Sequence, residues 1–234
     1  MLDFRQVFFG LNMEKQLYFL HINKTGGTYV EDVLSRKKNI VKVLGHHSNI
    51  LDIPKEGFIF FTLRDPFEKM CSSAYQLFRS GDIFKNLITF DGAEDYIKCL
   101  CNANSSKHQL AINIHNTHPH LSKSYWSFFI SEDYMHAYTP RILMAIRTER
   151  LTVDLPRLFS DLSIDINESI VFDKTSKLNR SSSVENYAEY FGKEVYESYA
   201  KINSLEFKFY NSALKFTIFD DRYSMTLQRY LNEL

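Results

Sequence analysis

The run Phe58-Ile59-Phe60-Phe61-Thr62-Leu63 admits few placements in a fold. It is apolar without alternation, short and rich in aromatics, which is the pattern of a strand buried on both faces. Such a strand needs parallel neighbours and helices on either side. The run stops at Arg64-Asp65-Pro66, where Asp65 is placed as an N-cap and Pro66 as the first helical residue. Phe67, Met70, Cys71, Ala74 and Leu77 then recur at helical spacing. The same strand, loop, helix order occurs earlier, with Leu17-Tyr18-Phe19-Leu20 as the strand and Tyr29, Val30, Val33 and Leu34 on a helix face. Residues 40–44 and 141–146 read as further strands, with a short one expected at 170–172. Helices are expected over 93–101, 155–162, 184–189, 193–205, 206–215 and 223–234. The sum is an α/β fold with a central, mostly parallel sheet flanked by helices, in which ligands sit beyond the carboxyl ends of the strands.

The chain has 234 residues, 44% of them hydrophobic and 24% charged, enough for one sizeable core. One domain over 1–234 is expected, with a helical or loop-rich insertion around 80–140. Lys and Arg number 28, as do Asp and Glu, so no overall field steers the chain to nucleic acid or an anionic membrane. Any anion site must be a local cluster. The apolar runs are too short to span a bilayer, and the first twelve residues lack the pattern of a secretory signal. Cys71, Cys99 and Cys101 are an odd set at spacings that metal sites and redox dithiols do not favour, and they read as reduced thiols of a cytoplasmic protein. Neither a membrane nor a nucleic acid is expected as a partner, and the oligomeric state is not readable.

The loop His21-Ile22-Asn23-Lys24-Thr25-Gly26-Gly27-Thr28 joins the first strand to its helix. Consecutive glycines before a helix expose backbone N–H groups to a phosphate, and the helix dipole adds about half a positive charge there. Thr25 and Thr28 offer hydroxyls and Lys24 a cation. The P-loop consensus places its lysine after the second glycine, whereas Lys24 precedes both, so another kind of nucleotide loop is implied. Read alone, the stretch is equally a capped turn. Arg64, at a second strand end, and Ser72, two helical turns on, can approach a second phosphate.

These residues resemble a known family. HINKTGGTYV is similar to the 5'-phosphosulfate loop of sulfotransferases that use 3'-phosphoadenosine 5'-phosphosulfate (PAPS), and FTLRDPFEKMCSSAY to their 3'-phosphate motif. MAIRTERL is similar to a later strand of the family. The likeness is nearest to the carbohydrate branch, which includes heparan sulfate 2-O-sulfotransferase and bacterial relatives, and is strong over 17–75. It implies a P-loop nucleotide-kinase-like fold. It also implies that Lys24, Thr25, Gly26, Gly27 and Thr28, with Tyr29 beside them, hold the 5'-phosphosulfate, Lys24 lying near the bridging oxygen. Arg64 and Ser72 would hold the 3'-phosphate. A loop over the cofactor is implied at 174–183, with Lys177, Asn179, Arg180 and Ser181 as contacts. The sequence departs from the pattern at Asn23, where proline is usual, at Lys69, where arginine is usual, and at Tyr75, one residue late.

Sulfuryl transfer needs a base for the acceptor, and histidine suits that task. Gly45-His46-His47-Ser48 occupies the place of the family's base element, with His46 as first choice and His47 as substitute. His118 and His120 are expected to line the acceptor pocket rather than bind metal, and Tyr125 and Trp126 to pack in the core before stacking on a sugar. The expected function is transfer of a sulfuryl group from PAPS to a hydroxyl or amine of a small-molecule or saccharide acceptor, leaving 3'-phosphoadenosine 5'-phosphate (PAP), without a metal. The alternatives are an ATP-dependent small-molecule kinase of related fold and a nucleotide-binding module without catalysis.

Overall fold

A computed structural model describes residues 16–35, 40–80, 89–164, 184 and 186–233. The expected strand at 170–172 and the loop at 174–183, with Lys177, Asn179, Arg180 and Ser181, lie outside them. The described chain is α/β. Strands β1 (Leu17–Leu20), β2 (Val41–Leu44), β3 (Phe58–Leu63) and β4 (Ile142–Arg147) form one sheet in the order β2-β1-β3-β4. Every pairing is parallel, with Leu17 opposite Val41 and Phe58 and Leu63 opposite Arg147. All strand ends that carry the loops of interest therefore lie along one edge of the sheet.

The aromatic run at 58–63 sits at the centre, as its lack of alternation requires. Phe58 and Phe60 face one side, with Phe19, Val30, Leu34, Leu155, Phe159 and Tyr230. That layer is built by α1 (Gly27–Leu34), α8 (Leu151–Asp161) and the last helix, α12 (Asp221–Glu233). Ile59, Phe61 and Leu63 face the other side, with Tyr125, Phe128, Phe129, Phe209 and Phe216. This second layer comes from α6 (Trp126–Phe129), α7 (Glu132–Tyr138) and α11 (Ser204–Ala213). Fully burying one Phe or Leu contributes about 1.5–3 kcal/mol, and β3 buries Phe58, Ile59, Phe60, Phe61 and Leu63.

A third cluster extends the molecule beyond the sheet. Helix α2 (Pro66–Ser80) presents Phe67, Met70, Cys71, Ala74 and Leu77 to α3 (Ala93–Cys101) and α4 (His108–Thr117), and to Tyr187 of α9 (Tyr187–Phe191) and Tyr199 of α10 (Lys193–Ile202). A short α5 (Pro119–Ser122) follows α4. The three cysteines are buried and unbridged. Among the described residues no helix is long and apolar enough to cross a membrane.

Several helix boundaries differ from the sequence reading. Helix α8 starts at Leu151, not at 155, because Arg150 bonds both oxygens of Asp154 at 2.9 and 3.0 Å and supports the turn ahead of Pro156. The expected helix at 184–189 lies at 187–191, capped by Asn186, which accepts from the Glu189 amide at 3.0 Å. The helix expected to run to 205 stops at Ile202, and the next starts at Ser204.

One buried ion pair ties the layers. Lys69 of α2 lies 3.6 Å from Glu206 of α11, and the two carboxylate oxygens of Glu206 also accept from the Tyr125 amide at 2.9 and 3.0 Å. Removing one member strands a buried charge. Lys69→Ala and Glu206→Ala are each expected to lower stability by about 3–5 kcal/mol, and the double variant by less than the sum. Urea unfolding checks both, and additive losses would show that the pair does not act as a unit.

Candidate functional site

The first loop is fixed from below. Thr25 is fully buried, donates its hydroxyl to the Ile22 carbonyl at 2.7 Å and lies 2.5 Å from the Thr62 hydroxyl. Its hydroxyl is thus not presented to a ligand, which corrects the expectation from sequence. What Thr25 retains for an anion is its amide. Its carbonyl accepts from the Thr148 hydroxyl at 2.9 Å, and the same hydroxyl reaches the Leu63 carbonyl at 3.1 Å.

The two glycines are demanded by packing. Gly26 has φ +88°, and a side chain there would also run into Leu151. A Cβ at Gly27 would occupy the His21 ring. Lys24 itself is left-handed, at φ +63°, a conformation costing a non-glycine residue about 1–2 kcal/mol. Strain of this kind clusters where a loop is shaped for function. The Gly26 carbonyl accepts from the Tyr29 and Val30 amides, so α1 begins directly after the bend. Helix geometry leaves the amides of Gly26, Gly27 and Thr28 without a carbonyl partner inside α1. Thr28 is exposed and Tyr29 half-buried.

Arg64 arrives from the neighbouring strand. The Tyr125 hydroxyl accepts from the Arg64 amide at 3.0 Å and donates to the Arg64 carbonyl, fixing the backbone at the end of β3. The guanidinium reaches the Lys24 carbonyl at 3.4 Å, lies 3.5 Å from Glu68 and sits over the Tyr187 ring at 5.9 Å. Asp65 caps α2 as its position predicts, accepting from the Phe67 and Glu68 amides at 2.9 and 3.2 Å. Ser72 is buried in α2, two turns on. Tyr75 stacks on Tyr187 with ring centroids 5.2 Å apart and donates to Glu94 at 3.3 Å.

Burial, with Arg64 and Arg79 as cationic neighbours, pulls the Lys24 ammonium down to about 8. The two loops therefore meet in a cation-rich place, where an anion would relieve the repulsion.

His46 and His47 are both exposed at the end of β2, with rings 4.5 Å apart. His46 meets the buried His21 ring edge-on at 5.6 Å, and its carbonyl accepts from Lys123. Burial, His47, His21 and Lys123 hold the His46 imidazole below its ordinary value, against an opposite pull from Glu31. That lowering favours the neutral imidazole, the form able to take a proton.

His118 is buried and caps α5, its Nδ1 accepting from the His120 amide at 3.2 Å, while His120 is exposed. Lys123, shortly after them, is the contact between this segment and the histidine loop. His115 is a core residue, its imidazole pushed down to about 4 by burial. Tyr125 is fully buried and stacks on Phe209 at 4.9 Å. Among the described residues no group of three His, Cys, Asp or Glu is gathered for a metal ion.

Sequence reasoning passed over His21, Glu31, Lys123, Thr148 and Leu151. For His21 a signal existed: a histidine directly after a strand, with a carboxylate one turn into the next helix. Comparison with protein-family models, curated proteins and solved structures gave no match.

Gly27→Ala is expected to displace the His21 ring and lower stability by about 1–3 kcal/mol. Chemical denaturation measures the loss, and an unchanged midpoint would mean that the ring is not held against the loop.

Proposed function

We propose that the chain is a PAPS-dependent sulfotransferase acting on a hydroxyl or amine of a small-molecule or saccharide acceptor. The observation that carries this reading is the approach of the two loops, with the Arg64 guanidinium 3.4 Å from the Lys24 carbonyl at the ends of adjacent parallel strands. A nucleotide phosphorylated at both the 3' and 5' positions needs two anion sites, and the loops supply one each. In this reading the fold is of the P-loop nucleotide-kinase-like kind.

The amides of Gly26, Gly27 and Thr28 hold the 5'-phosphosulfate, and Arg64 with α2 holds the 3'-phosphate. His46, with His47 as substitute, accepts the proton of the acceptor hydroxyl as its oxygen bonds to sulfur. The bond from sulfur to the 5'-phosphate oxygen breaks in line, and PAP leaves. Lys24 meets the charge that develops on that departing oxygen. Burial, with Arg64 and Arg79 beside it, explains why it gains from an anion: the ammonium is held near 8 without one. In this reading the exposed His120 meets the acceptor, and the buried His118 caps α5 behind it.

PAP is expected to raise the melting temperature and ATP to do so less. A ligand at 100 times its Kd stabilises by about 2.7 kcal/mol. Stabilisation by ATP alone would replace the reading with a kinase. Transfer of labelled sulfate from PAPS should vanish in Lys24→Ala and drop about 100-fold or more in His46→Ala. Full activity in both the His46→Ala and His47→Ala variants would remove the base assignment.

The Lys24 value also fixes a pH dependence. Free Lys24 is charged below about 8 and loses its proton above. PAP binding should hold that proton, so affinity falls above pH 8 by up to about tenfold per pH unit for one linked proton. Lys24→Arg, charged throughout, should flatten that limb in calorimetric titrations.

A further inference from the structure

Next to the phosphate-type loop, the ends of β1 and β2 gather three imidazoles and one carboxylate. His21 follows β1, pairs its amide with the Leu44 carbonyl at 3.0 Å and is buried, in the room that Gly27 leaves by lacking a side chain. Its Nδ1 lies 2.7 Å from Oε1 of Glu31, a half-exposed residue on the first turns of α1. The ring meets His46 at 5.6 Å and 76°. A carboxylate, a buried imidazole and an exposed imidazole thus stand in a row.

The arrangement has a chemical consequence. A histidine's tautomer is set by the hydrogen bond one nitrogen makes. Glu31 requires the proton on Nδ1 of His21, and so fixes the ring that His46 leans on. His46 and His47 lie on an exposed turn, and a base working in solvent gains from a neighbour that restricts it. The groups facing His46 are His21 from β1, Glu31 from α1, His47 from its own turn and Lys123 from the segment after α5. Glu31 alone among them is anionic.

We infer that His21 and Glu31 form a positioning pair for His46: Glu31 locks the His21 ring, and the pair together sets the orientation and protonation of the exposed imidazole. The consequence for catalysis rests on the sulfotransferase reading; the coupling itself does not. A structural pin between β1 and α1 would leave only the direct charge effect of Glu31 on His46, an effect that does not need the His21 ring.

Long-range proton–nitrogen NMR across a pH series tests this on the whole chain, with His21→Gln and His46→Gln used for assignment. Neutral His21 should carry its proton on Nδ1. In Glu31→Gln the His46 midpoint should fall, because the anionic neighbour that raises it is removed. Glu31→Asp, which keeps the charge, should restore most of it. The acid limb of kcat/KM for sulfuryl transfer should move to lower pH by the same amount in Glu31→Gln. An unmoved His46 midpoint in Glu31→Gln, an equal drop when His21→Gln is already present, or a His21 proton on Nε2, would overturn the inference. A moved midpoint in a chain that transfers no sulfate would uphold the coupling and remove the sulfotransferase reading.

Discussion

Thr25 holds its hydroxyl between the Ile22 carbonyl and the Thr62 hydroxyl, in a place closed to water. A buried hydroxyl left without partners costs about 1–3 kcal/mol, so these bonds fix more than one residue. They tie the end of β1 to the end of β3. With that join made, the chain must turn sharply at Lys24 and Gly26, and α1 must begin beneath the His21 ring. Thr148 closes the same knot from β4 through the Thr25 and Leu63 carbonyls. The loop amides therefore owe their direction to buried threonines rather than to the glycines alone, which only make the path sterically open.

The electrostatics follow from that geometry. Fixing the loop buries Lys24 beside Arg64, and the burial, with the repulsion, lowers its proton affinity. The lowered value also makes the protonated loop a cost to the fold. Between pH 8 and the ordinary lysine value the unfolded chain binds the proton and the folded chain does not, so stability rises with pH across that window. Below 8 the cost stays in full unless an anion offsets it. On the reading proposed above, binding of an anionic ligand would offset that cost.

Much of this was legible in the sequence, for local reasons. The aromatic run 58–63 reads as a central strand because its period is missing, and Asp65-Pro66 reads as a helix start because capping is a short-range geometry. The glycine loop was visible as a sharp turn into a helix, but the role of the Thr25 hydroxyl was not, since its partner lies 37 residues away. The same holds for the His21 and Glu31 pair, ten residues apart, and for Tyr125, which grips the Arg64 backbone across 61. Helix ends were misplaced where a side chain overrode the local signal, as Arg150 and Asp154 do ahead of Pro156. Composition carries no trace of such contacts, because each depends on which strand lies next to which.

The lysine at 69, where the family pattern has arginine, shows how far such contacts reach. Its ammonium donates to the Lys123 carbonyl at 2.7 Å, lies 3.6 Å from Glu206 and sits 4.7 Å from the centre of the Tyr125 ring. Those partners surround a point, and a compact ammonium with three donors suits them better than a planar fork made for paired oxygens. Tyr125 grips Arg64, and the Lys123 side chain bonds the His46 carbonyl. One buried ammonium thus stands behind both the arginine of the proposed second anion site and the turn that carries the exposed histidines. The departure at 69 is a change in how these loops are supported, and it leaves the guanidinium at 64 and the loop at 24–28 as the groups we propose to meet the ligand.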